Sequence, residues 1–210
     1  MKNIVFISPP AAGKGTQSNL LSSKYGYYHL STGDMLRSEI ANNTVLGKKI
    51  AEVLNQGCLV ADDIMIELIK KRLDTIDENK FILDGFPRTL NQAKELDKIL
   101  DDYVVIYLNV DKSLAMKRIC GRLTCSCGRS YNIYEEKHKP KVEGICDSCQ
   151  NALFKRDDDN EESFNKRFDI FIKNNEEIMH YYKSINKLEI IDVDNDSDDV
   201  FKNIEKVIIW

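Results

Sequence analysis

The chain has 210 residues, of which 42% are hydrophobic, and this is enough to bury one sizeable core. Thirty Lys and Arg residues stand against 34 Asp and Glu residues, so the net charge of -4 excludes an overall basic surface for nucleic acid or an anionic membrane. No apolar run approaches the roughly 18 residues of a membrane span, and the run at 4–7 is too short for a signal peptide, which predicts a cytoplasmic protein.

Apolar segments of strand length alternate with amphipathic segments of helix length along most of the chain. The run Ile-Val-Phe-Ile at 4–7 is typical of a buried strand, and the next segment predicts a helix over 14–25 with Leu20 and Leu21 facing inward. Continuous apolar strands between helices favour a parallel sheet covered on both faces, so we expect an α/β fold with a doubly wound core. The other predicted strands are 28–30, 81–83, 104–108 and 188–193, and the other predicted helices are 90–100, 113–119 and 198–208.

Two segments interrupt this alternation. Residues 31–60 carry a mainly helical pattern and predict a small helical cap. Residues 122–159 are rich in Cys, Gly, Lys and Asp without a long helical pattern, and they predict a second insertion. The core domain then consists of 1–30, 61–121 and 160–210.

The segment 8–17, Ser-Pro-Pro-Ala-Ala-Gly-Lys-Gly-Thr-Gln, has the strand, loop and helix context of a phosphate-binding loop. Its Gly-Lys-Gly centre provides a flexible turn at a helix start and a cation for the outer phosphates, and Thr16 offers a hydroxyl to a magnesium shell. Ser8 stands where the first glycine of the usual spacing occurs. We expect the loop to tolerate Ser8 and Ala11 provided that neither needs a positive φ. The alternative is a Gly-Lys-Gly turn that occurs by chance.

Two further segments place arginines beside strand ends. Arg37 closes the segment Ser-Thr-Gly-Asp-Met-Leu-Arg, and Arg88 closes the segment Asp-Gly-Phe-Pro-Arg. Ligands of open α/β sheets bind at the carboxyl ends of the strands, so both arginines are candidates for an anion site. Taken alone, each arginine also fits a surface ion pair.

The second insertion contains four closely spaced cysteines. Cys125 and Cys127 are followed, after 18 residues, by Cys146 and Cys149, which is typical of a structural zinc site on two hairpin-like turns. The gap in the first pair is one residue shorter than the favoured one. Three of the cysteines with another ligand, or four free thiols, remain as alternatives.

Together these segments resemble the adenylate kinase family. The resemblance covers nearly the whole chain and includes Cys-Leu-Val at 58–60, Arg-Ile-Cys-Gly-Arg at 118–122 and the acidic run between Arg156 and Arg167. It implies a nucleoside monophosphate kinase fold of the P-loop class, with a five-stranded parallel sheet, an AMP-binding insertion at 31–60 and a zinc-bearing lid at 122–159. The implied activity is reversible transfer of a phosphoryl group from ATP-Mg to AMP, which gives two ADP as the cap and the lid close.

The resemblance also implies roles for individual residues. ATP would contact Ala11, Ala12, Gly13, Lys14, Gly15, Thr16, Arg118, Arg122, Ser130 and Tyr131. AMP would contact Thr32, Arg37, Cys58, Leu59, Val60, Gly85, Phe86, Pro87, Arg88, Gln92, Arg156 and Arg167, with Gln92 at the adenine edge. The catalytic set would be Lys14, Arg88, Arg122, Arg156 and Arg167; Thr16 and Asp84 would hold Mg²⁺ through water; and Cys125, Cys127, Cys146 and Cys149 would hold structural Zn²⁺.

Two other functions fit parts of the sequence. A pyrimidine nucleoside monophosphate kinase would use the same loop, but the long lid with its cysteines disfavours it. A non-enzymatic zinc-knuckle module gated by ATP would need a nucleic-acid or protein partner, and the acidic net charge weighs against it. We expect a monomer whose partners are ATP, AMP and ADP, with no nucleic acid and no membrane.

Overall fold

The computed structural model describes residues 1–55, 58–76, 80–194 and 196–209. The strands in these residues are β1 (Asn3–Ile7), β2 (Tyr28–Ser31), β3 (Phe81–Asp84), β4 (Tyr103–Asn109), β5 (Arg122–Thr124), β6 (Ser130–Asn132) and β7 (Leu188–Asp192). The helices are α1 (Lys14–Tyr25), α2 (Thr32–Ala41), α3 (Val45–Asn55), α4 (Asp62–Leu73), α5 (Leu90–Ile99), α6 (Lys112–Cys120), α7 (Glu161–Ser184) and α8 (Ser197–Ile208).

The core is a five-stranded parallel sheet in the order β2-β3-β1-β4-β7, which confirms the predicted doubly wound α/β fold. Its central strand, β1, is buried on both faces. Ile4 and Phe6 belong to one hydrophobic cluster, whereas Val5 and Ile7 belong to the cluster on the opposite face. Because successive side chains of a strand point to opposite faces, burial of both faces explains why this strand is apolar at each position from 4 to 7.

The helices cover the two faces of the sheet. The helix predicted over 14–25 is confirmed as α1, in which Leu21 is fully buried while Leu20 is only half-buried. Helix α7 is absent from the sequence prediction; its Phe164 packs in one core cluster and its Tyr182 in the other. Among the described residues, no helix is long and apolar enough to cross a membrane.

Both predicted insertions differ in structure from the core. Residues 31–60 contain α2 and α3, while Gln56 and Gly57 lie outside the described residues. Residues 122–159 contain the antiparallel β5–β6 hairpin and a 3₁₀ turn at Glu136–His138. The division into separate domains stays a prediction.

The packing of α2 against α3 depends on a glycine. A Cβ added at Gly47 would lie 2.2 Å from the carbonyl oxygen of Glu39, a backbone atom that cannot move aside alone. We therefore expect Gly47→Ala to lower the free energy of unfolding by about 1–3 kcal/mol, the usual cost of overpacking. Urea denaturation measures this loss. The neighbouring exposed Lys48 provides the control, because Lys48→Ala removes side-chain atoms without creating this clash; equal stability of the two variants would contradict the close approach.

Candidate functional site

The main cleft of the molecule lies at the carboxyl edge of the sheet. Because all five strands are parallel, the loop after β1 and the residues after β2 and β3 meet at this edge. The cleft encloses about 1350 Å³ of empty space, including parts that open to solvent. Every residue predicted to contact ATP lines this cleft, so the structure brings them together: residues 11–16, Arg118, Arg122, Ser130 and Tyr131.

The loop after β1 has two residues in the left-handed region. Gly13 has φ 91° and Ala11 has φ 61°. The condition under which the loop was expected to tolerate Ser8 and Ala11, that neither needs a positive φ, is therefore not met at Ala11. The side chain of an L-residue crowds its own carbonyl group in this region, at a cost of about 1–2 kcal/mol.

Helix α1 starts at this loop without a side-chain cap. Its N-cap is Gly13, which has no side chain, whereas Ser31, Thr89, Asp111, Asn160 and Asp196 accept hydrogen bonds from the first turns of α2, α5, α6, α7 and α8. The backbone N–H groups at the start of α1 face the cleft together with the positive end of the helix dipole. This arrangement is suited to an anion.

Lys14 is the first residue of α1, and its ammonium group donates a 2.7 Å hydrogen bond to the Ser8 hydroxyl. Ser8 in turn donates to the Pro9 carbonyl oxygen at 2.8 Å. The pKa of Lys14 is lowered to about 8, chiefly by burial and also by the charges of nearby arginines, while the charge of Asp84 acts in the opposite direction. Ser8 thus holds the ammonium group at the loop while the cleft disfavours its positive charge.

Seven cationic side chains line the same cleft, and we refer to them as the cationic cluster. Burial and, after it, the charges of Arg122 and Arg37 together lower the pKa of Arg156 to about 10. Burial also lowers the pKa of Arg88, with the charge of Arg167 as the next contribution. Repulsion between the cations thus adds to the effect of burial, and an added anion would relieve the repulsion. The cationic cluster consists of Lys14, Arg37, Arg88, Arg118, Arg122, Arg156 and Arg167.

Carboxylates hold several members of the cationic cluster in place. Arg122 makes a bidentate pair with Asp159, whose side chain is fully buried, and its Nε donates to Asp159 Oδ2 at 2.7 Å. Arg167 donates to Asp158 Oδ2 at 2.7 Å. The sequence analysis assigned no role to these two carboxylates, although they lie in the acidic run just before α7.

A second set of contacts ties residues 135–138 to the core. Arg118 donates from Nε to Glu135 Oε1 at 2.9 Å, and the His138 ring lies 2.7 Å from Glu135 Oε2 and 3.3 Å from the Ser197 hydroxyl. Glu135 and His138 also line the cleft. The sequence analysis missed both, because a lone Glu and a lone His carry no spacing signal.

Asp84 faces the cleft at the end of β3. Burial acts to raise the pKa of Asp84, but the hydrogen bond from His29 and the charge of Lys14 outweigh it and lower the pKa overall. Thr16 lines the same cleft. An ionised carboxylate and a hydroxyl are the hard oxygen donors that suit Mg²⁺, so this pair fits the predicted magnesium role.

A second, smaller cavity of about 300 Å³ adjoins the cleft. Gly85 and Arg88 line both spaces. Six of the residues predicted to contact AMP line the smaller cavity, namely Thr32, Leu59, Val60, Gly85, Arg88 and Gln92. The larger cleft is lined by Arg37, Arg156 and Arg167. Phe86 is buried in a core cluster, and Cys58 is exposed.

The four predicted metal ligands meet in space. Their Sγ atoms all lie within 4.8 Å of one another, with Cys125 and Cys149 3.3 Å apart and Cys127 and Cys146 3.7 Å apart. Zinc–sulfur bonds of about 2.3 Å in a tetrahedron place sulfur atoms about 3.8 Å apart, so these thiols fit a zinc ion. The pKa of the Cys146 thiol is lowered to about 6, and the largest cause is the hydrogen bond from the hydroxyl of the buried Tyr131.

The short gap in the first cysteine pair is accommodated by a tight turn. The Cys125 N–H donates to the Arg129 carbonyl oxygen at 2.8 Å, and the Gly128 N–H donates to the Cys125 carbonyl oxygen at 3.0 Å. Gly128 has φ 87° in this turn. The second pair lies in a similar turn, in which Cys146 and Asn151 are joined by a 2.9 Å backbone hydrogen bond. Each turn therefore presents two thiols to the same point.

Comparisons with known proteins show the family to which the chain belongs. The profile of the adenylate kinase family matches residues 6–187. Proteins named adenylate kinase from Borrelia duttonii (strain Ly), Thermosipho africanus (strain TCF52B) and Archaeoglobus fulgidus are 41%, 44% and 42% identical to this chain; each alignment covers 98% of this chain and 96%, 99% and 97% of the respective relative. Since the profile spans most of the chain and these relatives align over nearly their whole length, the chain belongs to the adenylate kinase family.

Proposed function

We propose that the protein catalyses the reversible transfer of the terminal phosphoryl group of ATP to AMP, which gives two ADP. One observation carries the proposal: the cleft that contains the loop after β1 and the smaller cavity beside α5 share Arg88 and Gly85. Two nucleotides bound in these spaces would therefore bring their phosphates together at the cationic cluster. Assay of ADP formation from ATP with AMP, UMP or CMP tests the proposal, which expects AMP as the preferred acceptor.

The chemistry proposed here needs charge neutralisation and alignment rather than a catalytic base. The N–H groups at the start of α1 and the Lys14 ammonium group would bind the ATP phosphates. Arg88, Arg122, Arg156 and Arg167 would surround the transferring group and stabilise the charge on its oxygens. Closure of the cap and the lid over both nucleotides would exclude water, which would otherwise compete as the acceptor.

Two metals belong to the proposal. Mg²⁺, bound with ATP and held through water by Thr16 and Asp84, would supply positive charge beside the phosphates. Zn²⁺, held by the four lid cysteines, would cross-link the two turns of the lid. This zinc would be structural, because none of the four cysteines lines the cleft in the described part of the chain.

The proposal treats residues 31–60 as the AMP-binding cap, 122–159 as the lid and the remainder as the core. A monomer is sufficient, because every residue assigned to the two nucleotides comes from one chain. A cytoplasmic location suits the cysteine set, because reducing compartments keep thiols available for metal.

Replacement of Lys14 tests the electrostatic part of the proposal. Lys14→Met keeps the length of the side chain but removes its charge, so we expect the rate of phosphoryl transfer to fall more than about a hundredfold while circular dichroism is unchanged. Lys24→Met is the matched control, because Lys24 lies on the same helix and pairs with Glu205 away from the cleft. If Lys14→Met keeps more than a tenth of the activity, the assignment of Lys14 is wrong.

The lowered pKa of Lys14 predicts a pH-dependent proton uptake. At pH 8 about half of the free protein carries a neutral Lys14, and bound phosphates favour the ammonium form. ATP binding should therefore take up about half a proton per chain at pH 8 and almost none at pH 6.5, where Lys14 is already charged. Calorimetry in two buffers with different ionisation enthalpies measures this uptake. The same uptake in Lys14→Met would assign it to another group.

The zinc site predicts both metal content and stability. We expect one zinc per chain in protein purified without chelator, and a lower melting temperature after chelation or in the double variant Cys146→Ser and Cys149→Ser, because structural zinc contributes on the order of 10 kcal/mol of binding free energy linked to folding. Cys58→Ser is the control, since Cys58 lies outside the cluster and should not affect zinc content. Zinc well below one per chain, with four titratable lid thiols in the native protein, would exclude the site.

A further inference from the structure

The amide of Gln92 is held in one orientation by two groups of opposite character. Its Nε2 donates to Asp62 Oδ1 at 2.8 Å, and its Oε1 accepts from the Arg88 backbone N–H at 2.7 Å. An ionised carboxylate can only accept a hydrogen bond and a backbone N–H can only donate one. The two ends of the amide are therefore not interchangeable, and Gln92, which is 2% exposed, is fixed in position as well.

After these two bonds, the amide retains one N–H on Nε2 and one lone pair on Oε1. Gln92 lines the smaller cavity, where Leu36, Leu54 and Met65 provide apolar surroundings for a base. A neighbouring donor and acceptor in this order complement the amino group and adjacent ring nitrogen of adenine. A purine with a 6-oxo group presents an acceptor where adenine presents its amino group, so it meets the amide oxygen unfavourably.

We propose that Asp62 is a positioning residue that sets the preference of this cavity for a 6-amino purine nucleotide over a 6-oxo purine nucleotide, by fixing the orientation of the Gln92 amide. The inference depends on the proposed function, because it assumes that the acceptor nucleotide occupies the smaller cavity. Asp62 lies in the first turn of α4, and Gln92 lies in the first turn of α5. The residue that decides the preference is thus on a different helix from the residue that contacts the base.

Asp62 is itself held by several donors. Its Oδ2 accepts hydrogen bonds from the Thr89 hydroxyl at 2.8 Å and from Asn91 Nδ2 at 3.1 Å, in addition to the bond from Gln92 to Oδ1. An asparagine at this position has an NH₂ group in place of one carboxylate oxygen. That NH₂ group would face either the Gln92 amide or the side chains of Thr89 and Asn91, all of which donate to Asp62. A carboxylate therefore matches this set of neighbours, and an amide of the same size does not.

The test measures steady-state kinetics with AMP and with inosine monophosphate as acceptors. For Asp62→Ala we expect KM for AMP to rise at least fivefold, with KM for ATP and the kcat with saturating AMP within twofold of the unmodified enzyme. The ratio of kcat/KM for AMP to that for inosine monophosphate should fall at least fivefold. Asp62→Asn should lower the same ratio, and it decides the question if Asp62→Ala does not fold.

Two further variants separate positioning from a general loss of structure. Asp63→Ala removes the same charge from the adjacent, exposed position of the same helix turn and should leave the ratio unchanged. In a Gln92→Leu background, Asp62→Ala should have no further effect on the ratio, because the amide that it orients is absent. An equal fall in kcat/KM for both acceptors, or the same fall in the Gln92→Leu background, would overturn the inference. Failure of the unmodified protein to phosphorylate AMP would instead overturn the proposed function.

Discussion

Mutual repulsion within the cationic cluster is the constraint on which the rest of the site depends. Seven cationic groups share one partly buried cleft, and burial of like charges is unfavourable unless anions compensate for it. Asp84, Asp158, Asp159 and Glu135 supply part of the compensation in the free protein. The remaining imbalance adds to the effect of burial in lowering the pKa values of Lys14 and Arg156. A bound polyanion would remove it, so the arrangement favours polyphosphates over smaller or neutral ligands.

This cluster assembles from parts of the chain that are distant in sequence. The loop after β1 supplies Lys14, the residues after β3 supply Arg88, and the segment 122–159 supplies Arg122 and Arg156. Tyr131 connects this segment's cysteine set to the cleft, since it lines the cleft and its hydroxyl lies 3.4 Å from Cys146 Sγ. The cysteine set and the cleft therefore share one residue.

The two spaces that the proposed function assigns to nucleotides differ in their physical character. The larger cleft is dominated by charge, which attracts phosphate but does not distinguish one base from another. The smaller cavity combines apolar side chains with the single amide of Gln92, whose orientation is set by its hydrogen bonds with the Arg88 backbone N–H and the carboxylate of Asp62. In the proposed function, selection of a base therefore requires the N-terminal ends of α4 and α5 to be placed accurately, whereas attraction of phosphate does not.

The sequence by itself determined the alternating α/β core, the phosphate-binding loop and the pairs of cysteines, because these depend on local periodicity and spacing. Burial of β1 on both faces makes its signal continuous and easy to identify, and the short spacing within each cysteine pair is visible in the sequence itself. Only the tertiary structure decided the positive φ of Ala11, the pairing of Arg122 with Asp159 and the hold of Asp62 on Gln92. Backbone strain in a loop follows from how its two ends are anchored. The partners of these charged and amide groups lie 30 or more residues away and meet only in the folded chain. Neither feature therefore leaves a periodic trace in the sequence.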